Sequence, residues 1–377
     1  MKIVLNTRSS DAGSQVCIFQ LHRRLLKAGF QAKLNDWNNY SSYEIAIFMA
    51  YDHEMAKAKK QNNNIKIILA DPKLTSKNLI NDAINADMLL VSSIEQRDSL
   101  LRINANCHIH YMFPIFHKLH KTHQKQDDIN IAYHGNRVHI DAMKFLIGDA
   151  LLTLSKKKKI KLSLIYNIEK LGLADFTFFE EKGLSVEHIQ WSQETIVTEL
   201  NKADIGILPN ELPIDDKATA LRTLSTNAND CAFEPFDHLL RFKISTNPGR
   251  LSPYVYAGLP VVSDFSPSAS QFIKDGESGF IASGSAGWCF ALAKLASNPS
   301  LREKLSTNLA LNVETEIENQ IDKLKTEIEK LNYENTIDFS DWPSVFDEQM
   351  KYDNYPRPQE NLFRWCRRQL RRFTRYL

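Results

Sequence analysis

Paired cysteines are missing from this sequence. The five present, Cys17, Cys107, Cys231, Cys289 and Cys366, lie far apart with no short regular spacing. That excludes a disulfide framework and a zinc-ligand pattern, and it fits a reducing compartment. Long hydrophobic runs are missing too: none approaches the roughly 20 residues that span a bilayer. No secretory leader is read at the start, where Met1-Lys2 runs straight into IVLN. An excess of one charge is also absent. A net charge of +2 over 377 residues excludes a nucleic-acid binder working by bulk electrostatics. His108, His110, His117, His120 and His123 crowd one region, yet no cysteine or carboxylate completes a ligand pattern among them. The expectation is a cytoplasmic protein, free or peripheral on the inner face of a membrane, with no metal, no cofactor and no nucleic-acid partner.

What is present is an apolar fraction of 43%, enough for sizeable cores, and a repeated alternation of short apolar runs with helix-length polar segments. KIVLNT (2–7) reads as a strand, and EIAIFMA (44–50), KIILAD (66–71) and MLLVSS (88–93) as strands buried on both faces. An amphipathic helix over 16–29 stops at Gly29, and helical segments are expected over 52–61, 75–86 and 94–103. CHIHYMF (107–113) is a candidate sixth strand. The polar stretch 119–128 reads as a linker, after which the alternation restarts with INIAYHGN (129–136). Strands at 161–167, 186–191 and 204–210 and helices at 139–155 and 194–203 follow. The fold class is therefore α/β, with two tandem doubly wound, Rossmann-like domains over 1–118 and 129–310. Residues 211–236 carry no pattern, and long loops of that kind serve function or motion.

Residues 311–377 are expected to form a helical extension. Ile317, Ile321, Leu324, Ile328 and Leu331 step by four and three, the a/d spacing of a coiled-coil seam. Two readings stand: a homo-oligomer contact through 313–332, or a helix packed on its own domain. Further on, Leu362, Cys366, Leu370, Phe373 and Leu377 share a helical face and six arginines take much of the rest. That pattern suits an anionic membrane surface, and equally a helix docked on the protein with a solvated basic face, or an RNA contact.

The stretch FKISTNPGRLSPYVYAGLPVVSD (242–264) places Lys243, Ser245, Thr246, Asn247, Gly249 and Arg250 directly before a short apolar helix. Asn247-Pro248-Gly249 is a turn signal, and Ser252-Pro253 reads as an N-cap with proline at the first helical position. Amides at a helix start with a nearby Lys and Arg make a phosphate site, or else merely a solvated surface loop.

YAGLPVVSD followed by QFIKDGESGFIA resembles the carboxyl-terminal domain of retaining GT-B glycosyltransferases (family 4, group 1-like). The matching positions are Ala257, Gly258, Pro260, Val261, Val262, Ile273, Asp275, Gly276 and Gly279, then Trp288, Leu292, Leu295 and NPSLREKL. The resemblance covers roughly 129–310 and, more weakly, 1–118. It implies GT-B architecture and transfer of a sugar from a nucleotide-sugar donor to a glycan or lipid-linked acceptor, without metal. It further implies Lys243 and Arg250 as the groups that stabilise the leaving diphosphate. Gly135, Asn136, Pro209, Ser245, Thr246, Asn247 and Gly249 would complete the donor site. One departure is clear. Where many members carry two glutamates eight apart, the second holding the ribose, this sequence has Ser245 and Pro253. Glu234 or Asp237 is offered instead, and Lys170 lies near the place of another family cation. Arg8, Ser9 and Asp71 are the acceptor-side candidates, with His53 or His110 as a further one. His134 faces either cleft or core. An epimerase on the same fold, or a degenerate binding subunit, are the alternatives.

Overall fold

The computed structural model describes residues 1–72, 77–101, 103–211, 236–237, 242–243 and 247–331. All of them lie in one compact unit, Met1–Asn335. Within it stand two six-stranded sheets. The first is built from β1 (Lys2–Asn6), β2 (Gln31–Leu34), β3 (Ile45–Met49), β4 (Lys66–Ala70), β5 (Met88–Val91) and β6 (Cys107–Ile109). Their order is β2-β1-β3-β4-β5-β6, every pair parallel. The second uses β7 (Asp128–His134), β8 (Lys159–Tyr166), β9 (Ser185–Gln190), β10 (Ile205–Leu208), and, beyond a two-residue antiparallel pair β11 (Phe236–Asp237) and β12 (Phe242–Lys243), β13 (Val261–Asp264) and β14 (Phe280–Ala282). Its order is β14-β13-β10-β7-β8-β9, again all parallel.

The sequence explains this layering. β3, β5, β10 and β13 are buried at every position, which a sheet covered by helices on both faces requires. Each sheet accordingly has two apolar clusters, one per face. In the second sheet the strand order reverses between β7 and β10. Ligands of such sheets bind at the carboxyl ends of the strands flanking that reversal.

The segment after β6 is pinned to the second domain over much of its length. Tyr111 and Phe113 stack edge-on against Phe272 at 5.0 and 4.9 Å. Leu119 N donates to Tyr256 O at 2.8 Å, Lys121 Nζ to Asn201 O at 2.6 Å and His123 Nε2 to Gly258 O at 3.0 Å. The stretch read as a linker is thus tethered on one side.

A single helix, Pro299–Lys330, runs through position 310 and joins the two domains. Leu309 and Val313 pack into the second domain, whereas Ile321, Leu324 and Ile328 enter a core formed by β1, β3 and β4 of the first. The a/d seam is therefore occupied inside the chain, Ile317 against the second domain and Ile321 to Leu331 against the first. The interchain contact through 313–332 has its apolar face already covered, because Leu324 and Ile328 are fully buried. Residues 332–377, including the basic segment 361–377, lie outside the described residues. Among the described residues no helix is long and apolar enough to cross a membrane.

Candidate functional site

At the end of β7 the chain turns through His134, Gly135 and Asn136 into the helix Arg137–Leu146. Gly135 has φ +146, and a Cβ built there would stand 2.6 Å from Tyr133 Oη and 3.0 Å from Arg250 Nη1. Only glycine fits both the backbone and the space. Asn136 caps the helix, its side chain accepting from Val138 N at 3.1 Å.

Arg250 reaches this turn from the other side of the sheet reversal. Asn247 caps a 3-10 turn at Pro248–Arg250, accepting from Gly249 N at 2.7 Å, and the helix Leu251–Tyr256 continues from it. The cap is therefore Asn247-Pro248. The expected Ser252-Pro253 pair lies inside the helix, and Ser252 Oγ donates instead to Pro114 O. A tertiary acceptor claims the serine, so it does not cap. Arg250 Nη2 donates to Pro209 O at 2.9 Å and to Asn210 Oδ1. Its Nη1 is buried and has no hydrogen-bond partner among the described residues, with the Tyr133 hydroxyl close by. The Arg250 carbonyl accepts from His134 Nε2 at 2.8 Å. His134 is 5% exposed, and burial pushes its pKa down to about 4, helped by the neighbouring guanidinium. It is neutral at pH 7 and carries its proton on Nε2.

These groups line a cleft of about 600 Å³. From the first domain and the segment after it come Gly13, Val16, Cys17, Asp71, Met112, Pro114 and Phe116. The second domain contributes His134, Gly135, Asn136, Asn167, Lys170, Leu171, Trp191, Gln193, Ile196, Asn247, Gly249, Arg250 and Pro253. Gly249 seals the floor: a Cβ there would collide with the Met112 carbonyl.

The structure thus brings together Gly135, Asn136, Asn247, Gly249, Arg250 and Asp71. Pro209 acts one step back, holding Arg250 through its carbonyl. Lys243 lies in β12 and Asp237 in β11, paired across Phe236–Lys243 and Asp237–Phe242, and their side chains are outside the described residues. Ser245, Thr246 and Glu234 are outside them altogether. Pro253 faces the cleft where the resembled family keeps a glutamate.

On the opposite wall only Asp71 of the three acceptor candidates lines the cleft. It sits just past β4 with φ +51, a left-handed conformation that aspartate tolerates better than most residues. Arg8 pairs with Asp52 at 2.7 Å and with Glu54, and its guanidinium lies 3.9 Å over the Trp37 ring. Ser9 Oγ donates to Asp11 at 2.8 Å, and Asp11 in turn accepts from Ser14 N at 2.7 Å, so this loop is a capped one. His53 pairs with Asp82 at 3.0 Å. His110 lies in the interior, its pKa pushed by burial to about 3, and does not line the cleft.

Asn167, Trp191 and Gln193 line the cleft, and sequence reasoning missed them. Lys170, noted only as near the place of a family cation, stands on the same wall. It is exposed, follows β8 by four residues and makes no ion pair with a described residue. The signal for all four is topological. Residues just past the carboxyl ends of parallel strands share one edge of the sheet.

No protein-family model and no curated protein matches the sequence. Solved structures do match. Sucrose-phosphate synthase from Thermosynechococcus elongatus superposes with a TM-score of 0.52 at 12% identity, covering 87% of this chain and 99% of that one. Anabaena HepE in complex with UDP gives a TM-score of 0.53 at 12% identity, with 86% and 100% covered. The same protein with UDP-glucose gives 0.50 at 11% identity, with 88% and 99% covered. The chain has the GT-B fold. Arg250 stands at the sheet reversal of the second domain.

Proposed function

We propose that this chain is a glycosyltransferase that moves a sugar from a nucleotide-sugar donor to a glycan or lipid-linked acceptor, with retention and without a metal. The observation that carries the reading is the guanidinium of Arg250. One side is fastened to Pro209 O and Asn210, while Nη1 is buried without a hydrogen-bond partner among the described residues, beside Gly135 and the start of a ten-residue helix. A fixed cation, a glycine that admits close backbone approach and helix amides suit a diphosphate. Lys170 adds a second charge on the same wall. As the sugar–phosphate bond breaks, these groups meet the negative charge that builds on the departing nucleoside diphosphate. Such stabilisation is strongest when donors are held before the reaction, and Arg250 is held.

Lys243 belongs to this proposal by its place in the sequence. The nucleoside falls toward Asn167, Trp191 and Gln193 at the ends of β8 and β9, since Pro253 offers no carboxylate for a ribose. The acceptor enters from the wall that carries Asp71. HepE was crystallised with UDP and with UDP-glucose, which makes uridine donors the first to try. The basic segment 361–377 would bring a lipid-linked acceptor within reach, acting at the inner face of the membrane.

The test incubates the protein with UDP-, GDP- and ADP-sugars, with and without glycan and lipid-linked acceptors. Acceptor-dependent release of nucleoside diphosphate is expected. Conversion of the donor to an isomer without release would instead identify an epimerase, and binding without either would support a degenerate, non-catalytic subunit.

A further inference from the structure

Asp264 ends β13, is 2% exposed, and is not among the residues that line the cleft. Its carboxylate accepts from Asn210 N at 2.5 Å, from Asn210 Nδ2 at 2.8 Å and from Glu211 N at 2.9 Å. Asn210 is itself 3% exposed. Its Nδ2 also donates to Leu208 O at 3.1 Å, and its Oδ1 accepts from Arg250 Nη2. The order is therefore Asp264, Asn210, Arg250, with each link of defined polarity.

An asparagine amide can sit either way round, and the shapes of the two orientations are nearly the same. Here they differ sharply in energy. With the amide reversed, Oδ1 would face the Asp264 carboxylate, acceptor to acceptor. Its Nδ2 would face the Arg250 guanidinium, donor to donor. An ionised carboxylate has no proton to give, so it selects the orientation that presents Oδ1 to Arg250. The guanidinium is planar and its forks are rigid. Once Nη2 is seated on Asn210 Oδ1 and Pro209 O, the direction of Nη1 is set, toward Gly135.

We propose that Asp264 is a positioning residue that aims Arg250 at the cleft by fixing the orientation of the Asn210 amide. This rests on the reading of Arg250 as the diphosphate-facing cation, and the experiment separates the two. It compares Asp264→Asn, the double variant Asp264→Asn/Asn210→Asp, and Arg250→Ala, scoring nucleoside diphosphate release from the best donor of the panel and crystal structures of the first two. In Asp264→Asn the new amide keeps an oxygen for the two backbone N–H groups but turns an NH₂ toward Asn210. That NH₂ drives Asn210 to reverse, giving up its donation to Leu208 O and presenting its own NH₂ to Arg250. Release is expected to fall on the order of a hundredfold, the usual cost of a catalytic group displaced by about 1 Å. The double variant restores the polarity in mirror form. An amide at position 264 then donates, and a carboxylate at position 210 accepts from both sides, at the loss of the donation to Leu208 O. Release should return to within about tenfold of the parent, and Arg250 to its place on Pro209 O.

A residue needed only to fill or charge the core would show no such rescue. A double variant as inactive as Asp264→Asn, or an Arg250 undisplaced in the Asp264→Asn structure, overturns the proposal. If Asp264→Asn does not fold, the double variant, which keeps the polarity toward Arg250 and gives up the contact to Leu208 O, still decides it. Should Arg250→Ala release diphosphate at the parent rate, the functional reading of Arg250 fails. The two crystal structures then settle the positioning of its side chain on their own.

Discussion

The imidazole of His134 donates from Nε2 to the backbone carbonyl of Arg250, 2.8 Å away across the end of the second sheet. Burial holds this ring neutral, with its pKa lowered from 6.5 to about 4, and holds His110 neutral with a pKa of about 3. In the unfolded chain both rings take a proton near pH 6.5, so between that value and the folded one the unfolded state binds more protons. Stability is complete above pH 6.5 and is lost as pH falls through this window, by up to ~1.4 kcal/mol per pH unit for each ring. The buried Asp264 carboxyl, whose pKa burial raises, works against part of that loss. Urea melts at pH 7.5 and 5.5 measure the slope. His110→Asn should flatten it by about one proton, and an unchanged slope would show that His110 titrates normally in the folded protein.

Gly135→Ala places a methyl group against Tyr133 Oη and Arg250 Nη1 in a conformation that alanine resists. The expected cost is about 1–3 kcal/mol of stability. Loss of activity should exceed what the remaining folded fraction explains, because the guanidinium must give way. Thermal melts with turnover at a temperature where both proteins are folded make the comparison. Parent-like turnover would mean the turn does not approach a ligand.

Lys170 is exposed, lines the cleft and is free of described ion pairs. Lys170→Ala is expected to leave the melting temperature within about 2 °C, since surface substitutions away from buried features cost little. Binding of UDP by calorimetry should weaken about tenfold, the size of one charge-assisted contact, and the difference should shrink in high salt. Equal affinity in the two proteins would remove Lys170 from the site.

The long helix Pro299–Lys330 reaches the first domain through Ile321, Leu324 and Ile328. Leu324 is fully buried there. Leu324→Ala should cost about 2–5 kcal/mol, the range for a leucine removed from a packed core. Its sedimentation behaviour should stay that of the parent. A variant of parent stability with a changed oligomeric state would return the seam to an interchain role.

Much of the fold was legible because fully buried parallel strands are written as continuous apolar runs. β1, β3, β4, β5, β8 and β10 all were. β2, Gln31–Leu34, was not, since an edge strand of four residues with half-exposed positions resembles a polar turn. One helix read over 139–155 is two, parted at Ile147, where the absence of a side chain on Gly148 leaves room for the Phe179 ring. The partner that fills that break lies far along the chain, beyond any local signal. The loop before the helix Leu251–Tyr256 shows the same limit. Asn247-Pro248 and Ser252-Pro253 are equal as local caps, and only the carbonyl of Pro114 decides between them. Arg8 looked available for an acceptor, but the distant Asp52 and Glu54 take its charge. Arg250 was legible because a cation at a helix start has a chemical meaning before any fold is known.

Arg250, in the proposed reaction, meets the charge that forms on the leaving diphosphate. The most direct measurement of that role is nucleoside diphosphate release by the parent and by Arg250→Ala, at saturating donor and acceptor, alongside thermal melts of both. Release by the parent is expected, with a fall of at least about a hundredfold in the variant, the cost of one preorganised charge-stabilising donor, and with the fold retained. Parent-level release by a folded Arg250→Ala protein would contradict it.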